Sequence, residues 1–219
     1  MKKLFLLIVV ILLVLFFTKR NNMTWRQSIL KTVYPLIMLK GKLFPGKNDV
    51  QVNSSKINPA VSFYTLRATA NNGSVIDFSS FKGKKVLIVN TASDCGYTGQ
   101  YEALEKLHLQ YRNLVVLGFP ANDFKQQEQK DNAAIAEFCK VNYGVSFQLM
   151  EKSHVIKVAG QNPVYQWLTN ANQNGWCDQQ PVWNFSKYLI NEDGVLMNFY
   201  SQNVSPLDKR VRQGISHDN

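Results

Sequence analysis

The stretch from Val86 to Thr98 constrains this chain more than any other. Val86-Leu87-Ile88-Val89 is an unbroken apolar run rich in β-branched residues, set after the basic pair Lys84-Lys85. So short a run predicts a strand buried on both faces. Asn90 to Gly96 are small and mostly polar, the composition of a loop. From Tyr101 onward, Tyr101, Leu104, Leu107 and Tyr111 recur at helical spacing, with Glu102, Glu105 and Lys106 between them. Cys95 therefore sits where a buried strand hands over to a helix. Backbone N–H groups and the helix dipole favour an anion there, so the thiol is expected to ionise near neutral pH. Ser93-Asp94 and Gly96-Tyr97-Thr98 are too polar for a core position, and Thr98 stands where a Cys-x-x-Cys pair would carry its second thiol. Cys95 reads as a lone thiol nucleophile.

Two further stretches accompany it. Asn90-Thr-Ala-Ser-Asp-Cys95-Gly-Tyr-Thr98-Gly-Gln-Tyr101 resembles the peroxidatic-cysteine segment of the glutathione peroxidase family. Gly118-Phe-Pro-Ala-Asn-Asp-Phe124 through Gln127-Glu128, and then Trp183-Asn184-Phe185, resemble that family's other signatures in the same order. The resemblance covers residues 62–208. It implies a thiol-dependent peroxidase that reduces hydrogen peroxide and organic or lipid hydroperoxides through a cysteine sulfenic acid, in the response to oxidative stress. By motif it makes Cys95 the attacking thiol, with Gln127, Trp183 and Asn184 as donors to the thiolate and the departing oxygen. The types suit the task, because indole and carboxamide N–H groups donate without titrating.

The family pattern Phe-Pro-Cys-Asn-Gln-Phe-Gly appears here with Ala121, Asp123 and Lys125. Ala121 removes a thiol, and Asp123 and Lys125 are expected to alter the charge near Gln127. Cysteine in place of selenocysteine lowers the expected nucleophilicity and points to a thioredoxin-like dithiol protein as reductant, with glutathione as the other candidate. Cys139, in Ala136-Glu137-Phe138-Cys139, lies one position from where thioredoxin-dependent members carry a resolving cysteine. Cys177, in a polar loop, is the alternative.

Before this domain, Leu4 to Phe17 form an unbroken apolar run between Lys2-Lys3 and Lys19-Arg20. It is shorter than the roughly 20 residues that span a bilayer comfortably, and no small-x-small cleavage site follows. Residues 1–20 are therefore expected to be an uncleaved hydrophobic anchor helix holding the protein on a membrane. Residues 1–60 carry ten Lys or Arg against Asp49 alone, so they hold +9 of the chain's +10. That excess belongs to a membrane-proximal arm and not to the folded domain, which argues against a nucleic-acid partner despite a pI near 9.5. In the arm, Trp25, Ile29, Val33, Leu36 and Ile37 alternate with Arg26, Lys31 and Lys40, an interfacial basic segment broken by Pro35. Residues 1–44 are the expected membrane contact, and Pro45 to Pro59 a polar linker, so that 21–59 form one arm. Sidedness stays open: the basic residues after the run favour a cytoplasmic domain, and Lys2-Lys3 pull the other way.

Residues 60–219 make the expected catalytic domain. Ser62 to Leu66 and Val75 to Phe78 flank Asn71-Asn72-Gly73, a hairpin turn signal. After the central strand come a helix over Gln100 to Tyr111 and a strand over Leu114 to Phe119. Helices over Ala133 to Val141 and Pro163 to Leu168 follow, and a hairpin of Phe185 to Ile190 with Val195 to Tyr200 closes the order. This order predicts an α/β thioredoxin-like fold, a central mixed sheet with helices on both faces. Three cysteines form no disulfide framework, and His108, His154 and His217 are too scattered for a metal site, so neither metal nor cofactor is expected. The alternative reading is a membrane-tethered thiol–disulfide or binding module of the same fold without peroxidase activity.

Overall fold

Residues 23–216 are described by this computed structural model. They open with helix α1 (Trp25–Leu43) and edge strand β1 (Val50–Val52), then a hairpin of β2 (Arg67–Thr69) and β3 (Val75–Asp77). Strand β4 (Lys85–Thr91), helix α2 (Gln100–Gln110) and strand β5 (Leu114–Pro120) form the expected parallel crossover unit. Next are α3 (Asn132–Tyr143), β6 (Gln148–Leu149), and the short helices α4 (Pro163–Leu168) and α5 (Ala171–Asn174). Strands β7 (Lys187–Ile190) and β8 (Leu196–Tyr200) lead to α6 (Lys209–Ser216). The main sheet runs β1-β8-β7-β4-β5-β6, with β4, β5 and β6 parallel and β7, β8 and β1 antiparallel. It is the mixed sheet of a thioredoxin-like fold.

β4 is buried along its whole length because both faces of the sheet are covered. Leu87 and Val89 point into one apolar cluster, with Tyr101, Leu104 and Leu107 of α2 and Ile135 and Phe138 of α3. Val86 and Ile88 point into the other, with Phe63, Phe78, and Val164 and Trp167 of α4. Each fully buried aliphatic side chain contributes about 2 kcal/mol, so the strand anchors both layers. Local signals mark the ends. Asp131 Oδ1 accepts the Ala134 N–H at 2.8 Å to start α3, and Gly144, at φ +65°, closes it. Asn162 caps α4 through the Val164 N–H at 2.9 Å, with Pro163 in its first turn.

Several expectations are corrected. Pro35 does not break the basic segment: α1 runs through it from a capping box in which Thr24 Oγ1 accepts the Gln27 N–H and Gln27 Oε1 the Thr24 N–H. Pro35 lies on the exposed side of the helix, where its ring meets solvent and its missing N–H costs the helix one internal bond. The stretch read as a linker contributes β1, which pairs Val50 with Tyr200 and Val52 with Asn198 on β8. Buried Asp49 fastens it, accepting from the Ser201 hydroxyl and from Asn203 Nδ2 at 3.2 Å. The first hairpin strand lies at 67–69, because Phe63–Thr65 closes a short 3-10 turn capped by Ser62. The expected anchor at 1–20 lies outside the described residues, among which no helix is long and apolar enough to cross a membrane.

Candidate active site

Cys95 stands in a tight turn between β4 and α2 and is wholly buried. Thr98, the residue that denies a second cysteine, pins this turn. Its Oγ1 accepts the Cys95 N–H at 3.1 Å and lies 2.6 Å from the Cys95 carbonyl, to which it donates. The Tyr97 N–H donates to Cys95 Sγ at 3.4 Å.

The second motif reaches the thiol through a two-point staple. Glu128 Oε2 accepts from the Ser93 N–H at 2.8 Å and the Ser93 hydroxyl at 2.7 Å, while the Asp94 N–H donates to the Gln127 carbonyl at 3.0 Å. Asn122 Oδ1 in turn accepts the Glu128 N–H at 2.9 Å. Lys125 and Gln126 both hold left-handed backbone, at φ +51° and +52°. The family pattern places glycine at the first of these, so Lys125 bears strain there. Its Nζ lies 5.8 Å from the centre of the Trp183 ring. Asp123 does not act on Gln127 as expected. Its carboxylate points the other way, to His154 Nδ1 at 2.6 Å and the Val155 N–H at 2.7 Å, and so ties down the loop.

The third motif is clamped by Asn90 at the end of β4. Asn90 Nδ2 donates to the Trp183 carbonyl at 3.1 Å, its Oδ1 accepts the Ser186 N–H at 3.0 Å, and its carbonyl accepts the Phe185 N–H at 2.6 Å. Phe185 pays for the turn with φ +69°, and its ring packs edge-on against Tyr101 at 5.2 Å. The result aims Asn184 inward, where its Nδ2 donates to Gln127 Oε1 at 3.0 Å. Asn184 Oδ1 is buried and has no hydrogen-bond partner within the described structure.

Cys95, Gln127, Trp183 and Asn184 are thus brought together from three distant stretches. The thiol does not show the lowered pKa expected from the sequence. Burial pushes it up, and the Tyr97 N–H, the Trp183 and Asn184 side chains and the nearby Arg26 charge pull it back only in part. The reason is geometric: α2 starts at Gln100, beyond the turn, so the thiol has desolvation without a place in the helix's first turn. Glu128 is likewise pushed up by burial, against the pull of its Ser93 bonds.

Cys139, on α3, shares the apolar cluster of Cys95, and burial pushes its thiol up to about 12. Cys177 is buried in the other cluster, across the sheet, and its thiol is pushed up to about 11 for the same reason. All three thiols are free.

Three features escaped the sequence reading. Glu128 and Asn90 hold the motifs together through bonds spanning 35 and more than 90 positions, and only their polar side chains beside buried strands hinted at it. The third is α1, which lies over the turn. Gln27 Nε2 reaches the Ser93 carbonyl at 3.5 Å, and Lys31 Nζ the Asn142 carbonyl at 2.8 Å and Glu102 at 3.4 Å.

The family model described as Glutathione peroxidase matches residues 63–169. The glutathione peroxidase of Lactococcus lactis subsp. cremoris is 41% identical over 150 residues, which cover 67% of this chain and 93% of that protein. A glutathione peroxidase-like peroxiredoxin of Chlamydomonas reinhardtii is 43% identical over 146 residues, 66% of this chain and 89% of that one. The crystal structure of T. cruzi GPX1 superposes with a TM-score of 0.55 at 28% identity, covering 72% of this chain and 99% of that one. Matched to its relatives nearly end to end and carrying their family's domain, this chain belongs to the glutathione peroxidase family.

Proposed function

We propose that Cys95 carries out the thiol-dependent reduction of hydroperoxides that membership of this family entails, with Gln127, Trp183 and Asn184 acting on the reacting oxygens. The observation that carries the reading is the convergence of these four side chains on one buried turn. The Cys95 thiolate attacks the terminal oxygen of the hydroperoxide, forming an S–O bond as the O–O bond breaks. The other oxygen leaves as alkoxide or hydroxide and takes a proton to become alcohol or water, and Cys95 is left as sulfenic acid. Indole and carboxamide N–H groups stabilise the leaving oxyanion, and the unpartnered Asn184 Oδ1 is placed to accept the hydroperoxide O–H. A thiol–disulfide exchange role is not favoured, since Thr98 occupies the place of the second thiol.

For resolution, the shared cluster favours Cys139 over Cys177. The Cys139 thiolate attacks the Cys95 sulfur, an S–S bond forms as the S–O bond breaks, and the departing hydroxide takes a proton to become water; a thioredoxin-like dithiol then reduces the disulfide. A disulfide needs Cα atoms within about 7 Å, and both thiols are buried on separate elements, so the step calls for local opening around them. Reduced protein treated with one equivalent of hydroperoxide, then thiol-trapped and mapped by mass spectrometry, is expected to give a Cys95–Cys139 bond. A Cys95–Cys177 bond moves the resolving role. Absence of any intramolecular disulfide, with turnover restored by glutathione, leaves a one-cysteine mechanism.

The basic arm and the apolar run Leu4–Phe17 support a tether to membranes through residues 1–44. Apolar insertion is not screened by salt whereas basic contacts are, so full-length protein is expected to stay with membranes in 1 M salt, where the Debye length is about 3 Å. Recovery of the intact chain in the soluble fraction contradicts the tether.

A further inference from the structure

α1 precedes residue 63, where the match to the family begins, and it is seated on the reactive turn. Ile37 Cδ1 stands 3.0 Å from where a Cβ on Gly96 would lie, and the Tyr34 ring 2.5 Å from where one on Gly99 would lie. A side chain at position 99 would overlap the Tyr34 ring, and one at position 96 would push the tip of Ile37 aside, so the two glycines let the helix approach closely. With Gln27 on Ser93 and Met38 Sδ 3.8 Å from Gln100 Nε2, α1 touches residues on both sides of Cys95. Met23, just before the helix, is buried in the same cluster as the thiol.

The seat is partial. Leu30, Tyr34, Ile37 and Met38 are partly buried against the domain, and Gly41 lies against Asn203, yet a cleft of about 460 Å³, lined by Met38, Lys42, Asn203, Val204, Asp208 and Arg210 among others, opens beside the C-terminal half of α1. The outer face is apolar too: Ile29 is 52% exposed, Leu36 66%, Leu39 51%, Leu43 63% and Phe44 73%. A helix apolar on both faces has more to gain from a medium that covers it all round than from a surface that covers one side. α1 also carries Arg26, Lys31, Lys40 and Lys42 and no acidic residue, and the apolar run Leu4–Phe17 lies just ahead of it in the chain. Apolar stripe, positive charge and chain continuity select one occupant, an anionic lipid bilayer.

We propose that α1 is a cover over Cys95 which an anionic bilayer lifts, so that the thiol becomes accessible at the membrane surface. The proposal rests on the reading of Cys95 as the reactive thiol and of the arm as membrane-bound. A ligand shifts such an equilibrium only through its differential affinity for the two states, and here the lifted helix offers lipid the second face that the seated helix hides.

The test is the rate at which Cys95 of the reduced full-length chain is alkylated, followed by mass spectrometry, alone, with phosphatidylcholine vesicles, and with vesicles containing phosphatidylglycerol. Alkylation is expected to be slow without lipid and to rise at least tenfold with the anionic vesicles, and less with the neutral ones. L36E/L39E is expected to remain vesicle-bound through residues 4–17 yet lose most of that rise. G99A, whose new Cβ meets the Tyr34 ring, is expected to speed alkylation without lipid. Alkylation in buffer as fast as in urea, no response to anionic vesicles, no effect of G99A, or a rise that follows protein concentration in place of lipid (a second copy covering the face) each overturns the proposal. Because the readout is alkylation, it is independent of turnover. A failed peroxidase reading shows instead as an exposed Cys95 that consumes no hydroperoxide.

Discussion

Cys95→Ser is expected to lower hydroperoxide turnover by at least on the order of 10³-fold while leaving the fold intact. Serine fits the turn, where it accepts the same Tyr97 N–H and keeps the Thr98 bonds. Its hydroxyl cannot supply an anion near neutral pH, nor carry the sulfenic acid step. Exchanging the thiol for a hydroxyl inside the apolar cluster costs about 1 kcal/mol, too little to unfold a domain of this size. Turnover is measured by loss of hydroperoxide with a dithiol reductant, in the presence of anionic vesicles. A variant that keeps more than a few per cent of the wild-type rate removes Cys95 from the centre of the mechanism.

The second large effect is expected at Asn184. Asn184→Ala removes one aimed donor and should slow turnover on the order of 10²-fold, about 3 kcal/mol of transition-state stabilisation. It also deprives Gln127 Oε1 of its 3.0 Å partner, so some stability is lost as well. The pH profile separates the two roles. Asn184 is among the groups that favour the Cys95 thiolate against burial, so its removal raises the thiol pKa further and moves the rising limb of the rate profile to higher pH. A folded variant with ordinary activity and an unmoved profile contradicts the assignment, and an unfolded one makes Asn184 a structural residue.

What could be read from the residues followed the range of the interactions. β4, α2, β5 and α4 declared themselves, because an apolar run, a 3.6-residue period and an Asn-Pro start are local signals. Short elements did not: β6 has only two residues, and β1 is a Val-Gln-Val in polar surroundings whose strand character comes from pairing with β8. The motifs picked out the four side chains that the structure brings together. How they meet was not, since the Asn90 clamp, the Ser93–Glu128 staple and the left-handed Phe185 join positions far apart in the chain. The thiol's electrostatics were misjudged for a related reason. Sequence places Cys95 near a helix start, but burial depends on everything packed above it, including α1. The basic arm, read as a membrane contact joined to the domain by a linker, in fact holds a helix that lies against the reactive turn.

The measurement that bears most directly on the central claim is a single turnover of the reduced full-length protein. Without added reductant and with anionic vesicles present, one equivalent of hydroperoxide is incubated to completion, and the alcohol formed and the free thiol remaining at each cysteine are counted together. One alcohol per protein, with the Cys95 thiol lost in step, is the expected result. Hydroperoxide left intact, or consumed while the Cys95 thiol stays free, contradicts the account.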